Sequence, residues 1–439
     1  MVLPNNPRSK KRTLINALVY LVCILLMQSC QSKADAQIKI QGRAFQKEGL
    51  PFHLMGINYY PQKTPWSLFW QNFDPTQTQQ DLQQIHKLNF NTVRIFVPYT
   101  LFGADQVKPE YANKLKQFLD LIEQNNLHCI VTLFDFYTDY KDTESAKKHL
   151  KTLTQGLESH PAILAWDLKN EGDLDYAEHP EYVIHWIREM SETLRRIPVK
   201  HLLTAGWSRP ENVSDIAPYL DYLTFHYYRP EEDLPELIDS LQKQSQKPLV
   251  LGEFGYHTWS QSPQDPHPEA HQFNYYQSIL FSVLQSKLAG AMAWTLYDFA
   301  PNLKEDWVLQ QTSVQHYLGL LDQNQHAKPG LKALQQAIYL RDAQSLKAIN
   351  LETREIEMVF RANKKAQAHL HIEHLGKQKA FLTLDVTPGI NQWHWSVGPE
   401  EIKRFIYLQQ HYILHCNAVL GPAGERLSQQ VFPLILRQD

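Results

Sequence analysis

Two glutamates carry the chemistry this chain could perform. Glu171 ends the run Ala-Trp-Asp-Leu-Lys-Asn-Glu, and Glu253 ends Pro-Leu-Val-Leu-Gly-Glu. Each closes an apolar stretch that reads as a buried strand. A carboxylate at such a tip leaves the core and enters the cleft above it. Two converging there, one ionised and one protonated, could serve as nucleophile and acid on a glycosidic bond.

The elements that must position this pair are legible as an alternation. Apolar runs fall at 52–58, 92–97, 128–134, 163–168, 201–205, 222–226, 249–253 and 291–296, giving eight candidate strands. Between them lie stretches with helical spacing, such as Leu82, Ile85 and Leu88, then Leu115, Phe118, Leu119 and Ile122, then Val183, Ile184, Ile187 and Met190. Helices between strands imply parallel pairing, and eight such units match a (β/α)8 TIM barrel over residues 51–345. The first turn, Gly56-Ile57-Asn58-Tyr59-Tyr60-Pro61, lacks the glycine-rich phosphate fingerprint of an open doubly wound sheet. Gly330 to Tyr339 reads as the closing helix. From residue 346 to 439 the pattern becomes period two, around Ile356–Phe360, His369–Ile372 and Phe381–Leu384 with a turn at Pro388-Gly389. A small C-terminal antiparallel β-sandwich domain is the expectation.

Read in order, the strand tips present Arg94, then Asn170 and Glu171, then His226 and Tyr228, then Glu253, then Trp294. This ordered set resembles the clan A retaining glycoside hydrolases, most closely family 5, which contains cellulases and β-mannanases. The resemblance covers roughly residues 50–340. It implies a retaining β-glycosidase acting on β-linked polysaccharide or oligosaccharide of glucan or mannan type, with internal cleavage favoured and no cofactor or metal. By the same resemblance Glu171 is the acid/base, Glu253 the nucleophile and Asn170 a hydrogen-bond partner of the sugar 2-hydroxyl. Arg94, His226 and Tyr228 orient Glu253 or line its subsite, and Trp294 is the aromatic floor. Gly172 stands where family 5 often has proline after the glutamate, and Phe134-Asp135-Phe136-Tyr137 stands where a histidine often lies. Asp135 reads either as a sugar ligand or as a cap for the segment that follows.

Further aromatics extend the candidate sugar contacts: Tyr59 in the first turn, and Trp66, Trp70, Trp207 and Trp259 in loops above strands. Core packing is the alternative for each. Trp393 and Trp395 share one face of a C-terminal strand, suiting either sugar binding or packing. His369, His371 and Glu373 alternate on another, a spacing open to metal but more often a solvated face.

The formal charge of −3 offers no basic field for nucleic acid. Arg8, Lys10, Lys11 and Arg12 precede an apolar stretch ending in Gln28-Ser29-Cys30, a signal-peptide pattern over residues 1–30. Leu-Leu-Met-Gln-Ser-Cys resembles a bacterial lipobox, which implies lipidation at Cys30, a polar tether over 31–50, and a lipid-anchored location in the cell envelope. A plain secreted chain follows if the lipobox is not used. Cys129 and Cys416 then remain, in different predicted domains, and suggest no disulfide framework. Two rivals share this sequence: a non-catalytic glycan-binding surface lipoprotein, and a transglycosylase using the same residues.

Overall fold

The computed structural model describes residues 37–346, except 49, 176–178, 262–264, 266, 287, 304–306 and 312, and beyond them the backbone of strands lying between residues 349 and 437. Eight parallel strands close into a barrel: β1 (Leu54–Asn58), β2 (Thr92–Pro98), β3 (His128–Asp135), β4 (Ile163–Asp167), β5, β6 (Leu223–Tyr227), β7 (Leu249–Phe254) and β8 (Gly290–Ala293). β5 is interrupted at Ala205. Its first half, Leu202–Thr204, pairs with β4, and its second half, Gly206–Trp207, pairs with β6. Pairing then runs unbroken around the ring, from β4 through β1 and β8 back to β6. The runs read from sequence become these strands because branched and aromatic residues that are buried on both faces leave no polar side to alternate with. Every residue of β1, β2, β3, β4, β6, β7 and β8 is buried.

Among the described residues seven α-helices of more than two turns cover the outside: α1 (Pro75–Lys87), α2 (Pro109–Gln124), α3 (Thr143–Thr154), α4 (Pro180–Arg195), α5 (Leu234–Gln244), α6 (Pro268–Gln285) and α7 (Pro329–Asp342). Local sequence starts several of them. Asp74 accepts from the backbone of Thr76 and Gln77 ahead of Pro75, and Asp142 accepts from Ser145, satisfying donors that a helix start leaves open. The inward stripes match the spacing, with Leu115, Phe118, Leu119 and Ile122 buried in α2 and Val183, Trp186, Ile187, Met190 and Leu194 in α4. The β5–β6 crossover departs from the expected helix. It is a 3-10 run, Pro210–Tyr219, whose internal Pro218 cannot donate an α-helical hydrogen bond.

The entry segment forms a three-stranded antiparallel meander, Lys39–Gln41, Ala44–Lys47 and Leu50–Phe52. Ile38 and Phe45 pack against Leu54, Leu164, Tyr222 and Val250 at the N-terminal ends of the strands, and Phe45 meets Tyr222 edge-on at 5.1 Å. This seals the end of the barrel opposite the strand tips. Beyond α7, strands including Glu355–Ala362, Ala366–His374, Lys377–Val386 and Gly389–Ser396 form two mainly antiparallel sheets. The side chains of His369, His371, Glu373, Trp393, Trp395 and Cys416, and all of residues 1–36 with Cys30, lie outside the described residues. Cys129 is a free, buried thiol.

Candidate active site

Arg94 is the hub. It lies on β2 beneath the strand tips, where water cannot compensate its charge, so it must find every partner inside the protein. Nε donates to Asp167 Oδ2 at 2.9 Å, and Nη2 lies 2.8 Å from the same oxygen. Nη1 donates to Asn58 Oδ1 at 3.0 Å and to Glu253 Oε1 at 2.5 Å, while Nη2 reaches Asn170 Oδ1 at 2.8 Å. The planar fork suits this many acceptors better than an ammonium would. Asp167, at the end of β4, is fixed in turn by Thr132 Oγ1 at 2.7 Å and the Gly206 amide at 3.0 Å. Asn58 spans to the carbonyls of Gly252 and Ala293. Residues from β1, β2, β3, β4, β5, β7 and β8 are thereby tied to one guanidinium. The ring of Phe96, two residues along β2, lies 4.5 Å below it.

Glu253 on β7 receives its second hydrogen bond from Tyr228 Oη, 2.9 Å from Oε2. Glu171 follows the tip of β4 with φ of 51°, a left-handed conformation held by its amide donating to Gly206 O at 2.9 Å. Such a backbone costs on the order of 1–3 kcal/mol and persists where surroundings impose it. His226 on β6 bridges the two acids, with Nδ1 2.7 Å from Glu171 Oε1 and 3.6 Å from Glu253 Oε2. One ligating atom from each of these three residues falls within 4.8 Å of the others. Burial alone would discharge His226, but the charge of Glu253 and the hydrogen bond to Glu171 raise it above its ordinary value. Burial opposes the charge on Glu171 too, and the His226 contact outweighs it and lowers that carboxyl below its ordinary range. The contact therefore favours an imidazolium beside a carboxylate.

Above them opens a cavity of about 670 Å³, lined by Tyr60, Trp66, Phe96 and Trp294 as an aromatic wall and by Glu171, Glu253, Asn170 and Tyr228 at its chemical centre. Tyr60 stacks on both Trp66 and Phe96 and meets Trp294 edge-on. The size and mixed lining suit a small-molecule or sugar site. The three large hydrophobics most exposed among the described residues, Phe136, Leu174 and Tyr228, all belong to this lining.

Arg94, Asn170, Glu171, His226, Tyr228, Glu253 and Trp294 thus come together as the sequence suggested, with one change. His226 makes its close contact with Glu171, and its approach to Glu253 is the longer of the two. Four aromatics are not brought to the cavity. Tyr59 is fully buried and bonds Asp81 Oδ2 on α1 at 2.7 Å. Trp207 is fully buried at the end of β5, packed near Gly172. Trp70 is core, donating to Phe96 O at 2.7 Å. Trp259 lies half-buried two residues beyond His257, which does line the cavity, while Trp259 is not among the lining residues. Trp66 does reach the wall. Asp135 ends β3 as a lining residue rather than a cap; the cap of α3 is Asp142. Tyr60 and Lys169 were missed, although each directly neighbours a residue singled out from sequence.

A closed (β/α)8 barrel with two carboxylates converging over the C-terminal ends of its strands is the architecture of a glycosidase. A family model described as "Cellulase (glycosyl hydrolase family 5)" matches residues 45–300, more than half of the chain. The chain belongs to glycosyl hydrolase family 5. It is 24% identical over 201 residues to mannan endo-1,4-beta-mannosidase 7 of Arabidopsis thaliana, covering 36% of this chain and 44% of that protein. The exo-beta-1,4-mannosidase Op5Man5 from Opitutaceae bacterium strain TAV5 shares the fold at a TM-score of 0.59 and 22% identity, over 69% of this chain and 62% of that one. A family 5 mannosidase from Rhizomucor miehei does so at a TM-score of 0.54 and 17% identity, over 69% and 97%. The chain spans less than half the length of the Arabidopsis proteins it matches.

Proposed function

We propose that this protein hydrolyses β-linked glycosides of mannan type with retention of anomeric configuration, using Glu253 as nucleophile and Glu171 as acid/base. The observation that carries the reading is the compact cluster of Glu171, His226 and Glu253, with ligating atoms within 4.8 Å. Retaining enzymes hold their carboxyls about 5–5.5 Å apart, whereas inverting enzymes leave about 6.5–9.5 Å for a water. The names of the similar proteins, mannosidases and mannan mannosidases, support the substrate class.

Arg94 and Tyr228 donate to different oxygens of Glu253, which fixes the carboxyl group and aims it at the anomeric carbon. Glu171 rests as a carboxylate, yet the first step needs it protonated. The proton is on hand in the 2.7 Å contact with His226 Nδ1. When a sugar fills the cavity and expels water, the ion pair loses solvation, and transfer to Glu171 leaves two neutral groups. Glu253 then forms a bond to the anomeric carbon, the glycosidic bond breaks, and the leaving oxygen takes the Glu171 proton. In the second step Glu171 removes a proton from water, whose oxygen displaces Glu253. Asn170, held by Arg94 through Oδ1, keeps its amide donors for a sugar hydroxyl.

The test is reducing-sugar release from soluble β-mannans and β-glucans, with product anomers followed by NMR. Glu253→Gln abolishes release and Glu171→Gln lowers it by about 10²–10⁴-fold; normal turnover by Glu253→Gln would refute the mechanism. Product lengths separate internal from terminal cleavage, and high acceptor concentration separates hydrolysis from transglycosylation. We also assign residues 346–439 to a separate small β-sandwich, to be checked by limited proteolysis near residue 346. The lipobox-like segment supports anchoring through Cys30 in the cell envelope; Cys30→Ser should move the protein from the detergent phase to the aqueous phase in a partition assay.

A further inference from the structure

Two buried charges in the cavity wall take no part in the steps above. Asp135, 3% exposed, ends β3, and Lys169, 5% exposed, follows β4; both line the cavity. Opposite charges inside a protein ordinarily close on each other, as Lys328 does on Asp298 at 2.7 Å and Arg94 on Asp167 and Glu253. Asp135 and Lys169 feel each other's charge, yet among the described residues no ion pair joins them. Lys169 donates one hydrogen bond, to Asn170 O at 2.7 Å, which leaves two ammonium donors. Asp135 Oδ2 is buried without a hydrogen-bond partner. A buried acceptor left unmade is costly, and it is an arrangement a protein keeps where a ligand completes it. Burial pushes the Asp135 carboxyl up to about 7, against the pull of Lys169 and Arg94, as befits a group held short of partners.

The geometry points to Asp135 and Lys169 as a clamp for two adjacent hydroxyls of the sugar bound beside Glu253. The carboxylate accepts from both hydroxyls, and the ammonium donates to the oxygen of one. This rests on the glycosidase reading of Glu171 and Glu253 and adds to it the substrate feature that the pocket reads. The ligand is a neutral pyranoside with a free vicinal diol. Glu253 and Glu171 are matched by Arg94 and His226, and of the other lining groups Asp135 and Asp175 outnumber the single ammonium of Lys169, so a uronide finds no net attraction. An amino sugar would set a second cation against Lys169.

The experiment compares the full-length wild type with Asp135→Asn, Lys169→Met and Glu253→Gln on nitrophenyl β-mannoside and β-glucoside. The panel adds their 2-, 3-, 4- and 6-deoxy analogues, the glucuronide and the glucosaminide. Asp135→Asn should lower kcat/KM about 10- to 100-fold on the glycoside bearing both hydroxyls, the worth of hydrogen bonds to a charged group. The loss should nearly vanish on the one or two deoxy analogues that lack the hydroxyl being read, and Lys169→Met should point to the same or the adjacent carbon. Asp135→Asn should also melt near or above the wild-type temperature, because asparagine keeps an acceptor for the Phe136 amide and Oδ2 has no hydrogen bond to lose. Equal losses on the parent and every deoxy analogue, a lower melting temperature with an unchanged substrate profile, or preference for the uronide or amino sugar would each overturn the clamp. Failure of the underlying reading has its own signature, normal turnover by Glu253→Gln.

Discussion

Gly206→Ala adds one methyl group at the point where the two keyed cations meet. A Cβ there would lie 2.9 Å from His226 Nε2, 3.0 Å from Arg94 Nη2 and 3.3 Å from His226 Cε1. Carbon contacts are comfortable at about 3.5–4.0 Å, so imidazole and guanidinium must each retreat by roughly 0.5 Å. Gly206 lies on the second half of β5 without a left-handed φ, so alanine itself suits the backbone and the crowding is the whole perturbation. Neither neighbour is free to yield, since Arg94 is tied to Asp167, Asn58, Glu253 and Asn170 and His226 to Glu171. Overpacking of this kind costs about 1–3 kcal/mol, which for a domain near this size lowers Tm by about 2–12 °C. The displacement passes directly to both carboxylates. A misplacement of about 1 Å can cost about 10²-fold in rate, so half of that should lower kcat about 10-fold. Calorimetry and steady-state kinetics on a nitrophenyl glycoside read both quantities. Gly252→Ala is the comparator: its Cβ would collide with Thr224 but come no nearer than 3.4 Å to His226, so it should lose stability with a smaller effect on kcat. Wild-type kcat in Gly206→Ala, whatever its Tm, would refute the claim that Arg94 and His226 set the geometry of turnover.

Three further outcomes are expected. The His226–Glu171 pair should make stability depend on pH in both directions. His226, raised above 6.5, stabilises fully below 6.5 and loses this as pH rises through its higher folded value, while Glu171, lowered below 4.5, stabilises above 4.5 and loses this as pH falls. The Tm difference between wild type and His226→Gln should therefore be greatest between 4.5 and 6.5 and shrink on either side; a flat difference would exclude the ion pair. Arg94→Met leaves Asp167 and Glu253 buried without their cation and should cost about 3–5 kcal/mol in denaturant melts, with turnover lost as well. Tyr59→Phe removes the donor to Asp81 Oδ2 while Tyr297 keeps Oδ1 at 2.8 Å; stability should fall by about 1–3 kcal/mol with kcat and KM unchanged, and a raised KM would return Tyr59 to the sugar site.

The barrel was legible because its strands are short, mainly apolar runs between amphipathic helices, a pattern that needs no side-chain detail. The interruption of β5 was not, since Thr204-Ala205-Gly206 carries no signal for which half pairs with which neighbour until both neighbours are in place. The prolines of Pro210–Tyr219 did carry a signal against a helix there. Glu171, Glu253 and Arg94 stood out because a charge at or inside an apolar run demands partners. The aromatics were harder, because an indole or phenol near a strand tip suits the core and the cleft equally. Tyr59 and Tyr60 are adjacent, yet one binds Asp81 and the other lines the cavity; one residue of backbone rotation decides between them. The place of His226 depended on the bend after β4 that turns Glu171 toward it, and that left-handed φ is not encoded by the residue type.

Anchoring through Cys30, as proposed above, would let the meander at the barrel's closed end decide which way the barrel faces. Residue 37, where the described chain begins, belongs to the face opposite the cavity. If Cys30 carries the lipid, the seven peptide units from Cys30 to Gln37 reach no further than roughly 25 Å when fully extended. The sealed end would then stand next to the bilayer like a foot, and the cavity would open into the medium on the far side of the barrel. A polymer could thread across the mouth without touching headgroups, and the anchor would set the height of the cleft above the membrane as well as its location.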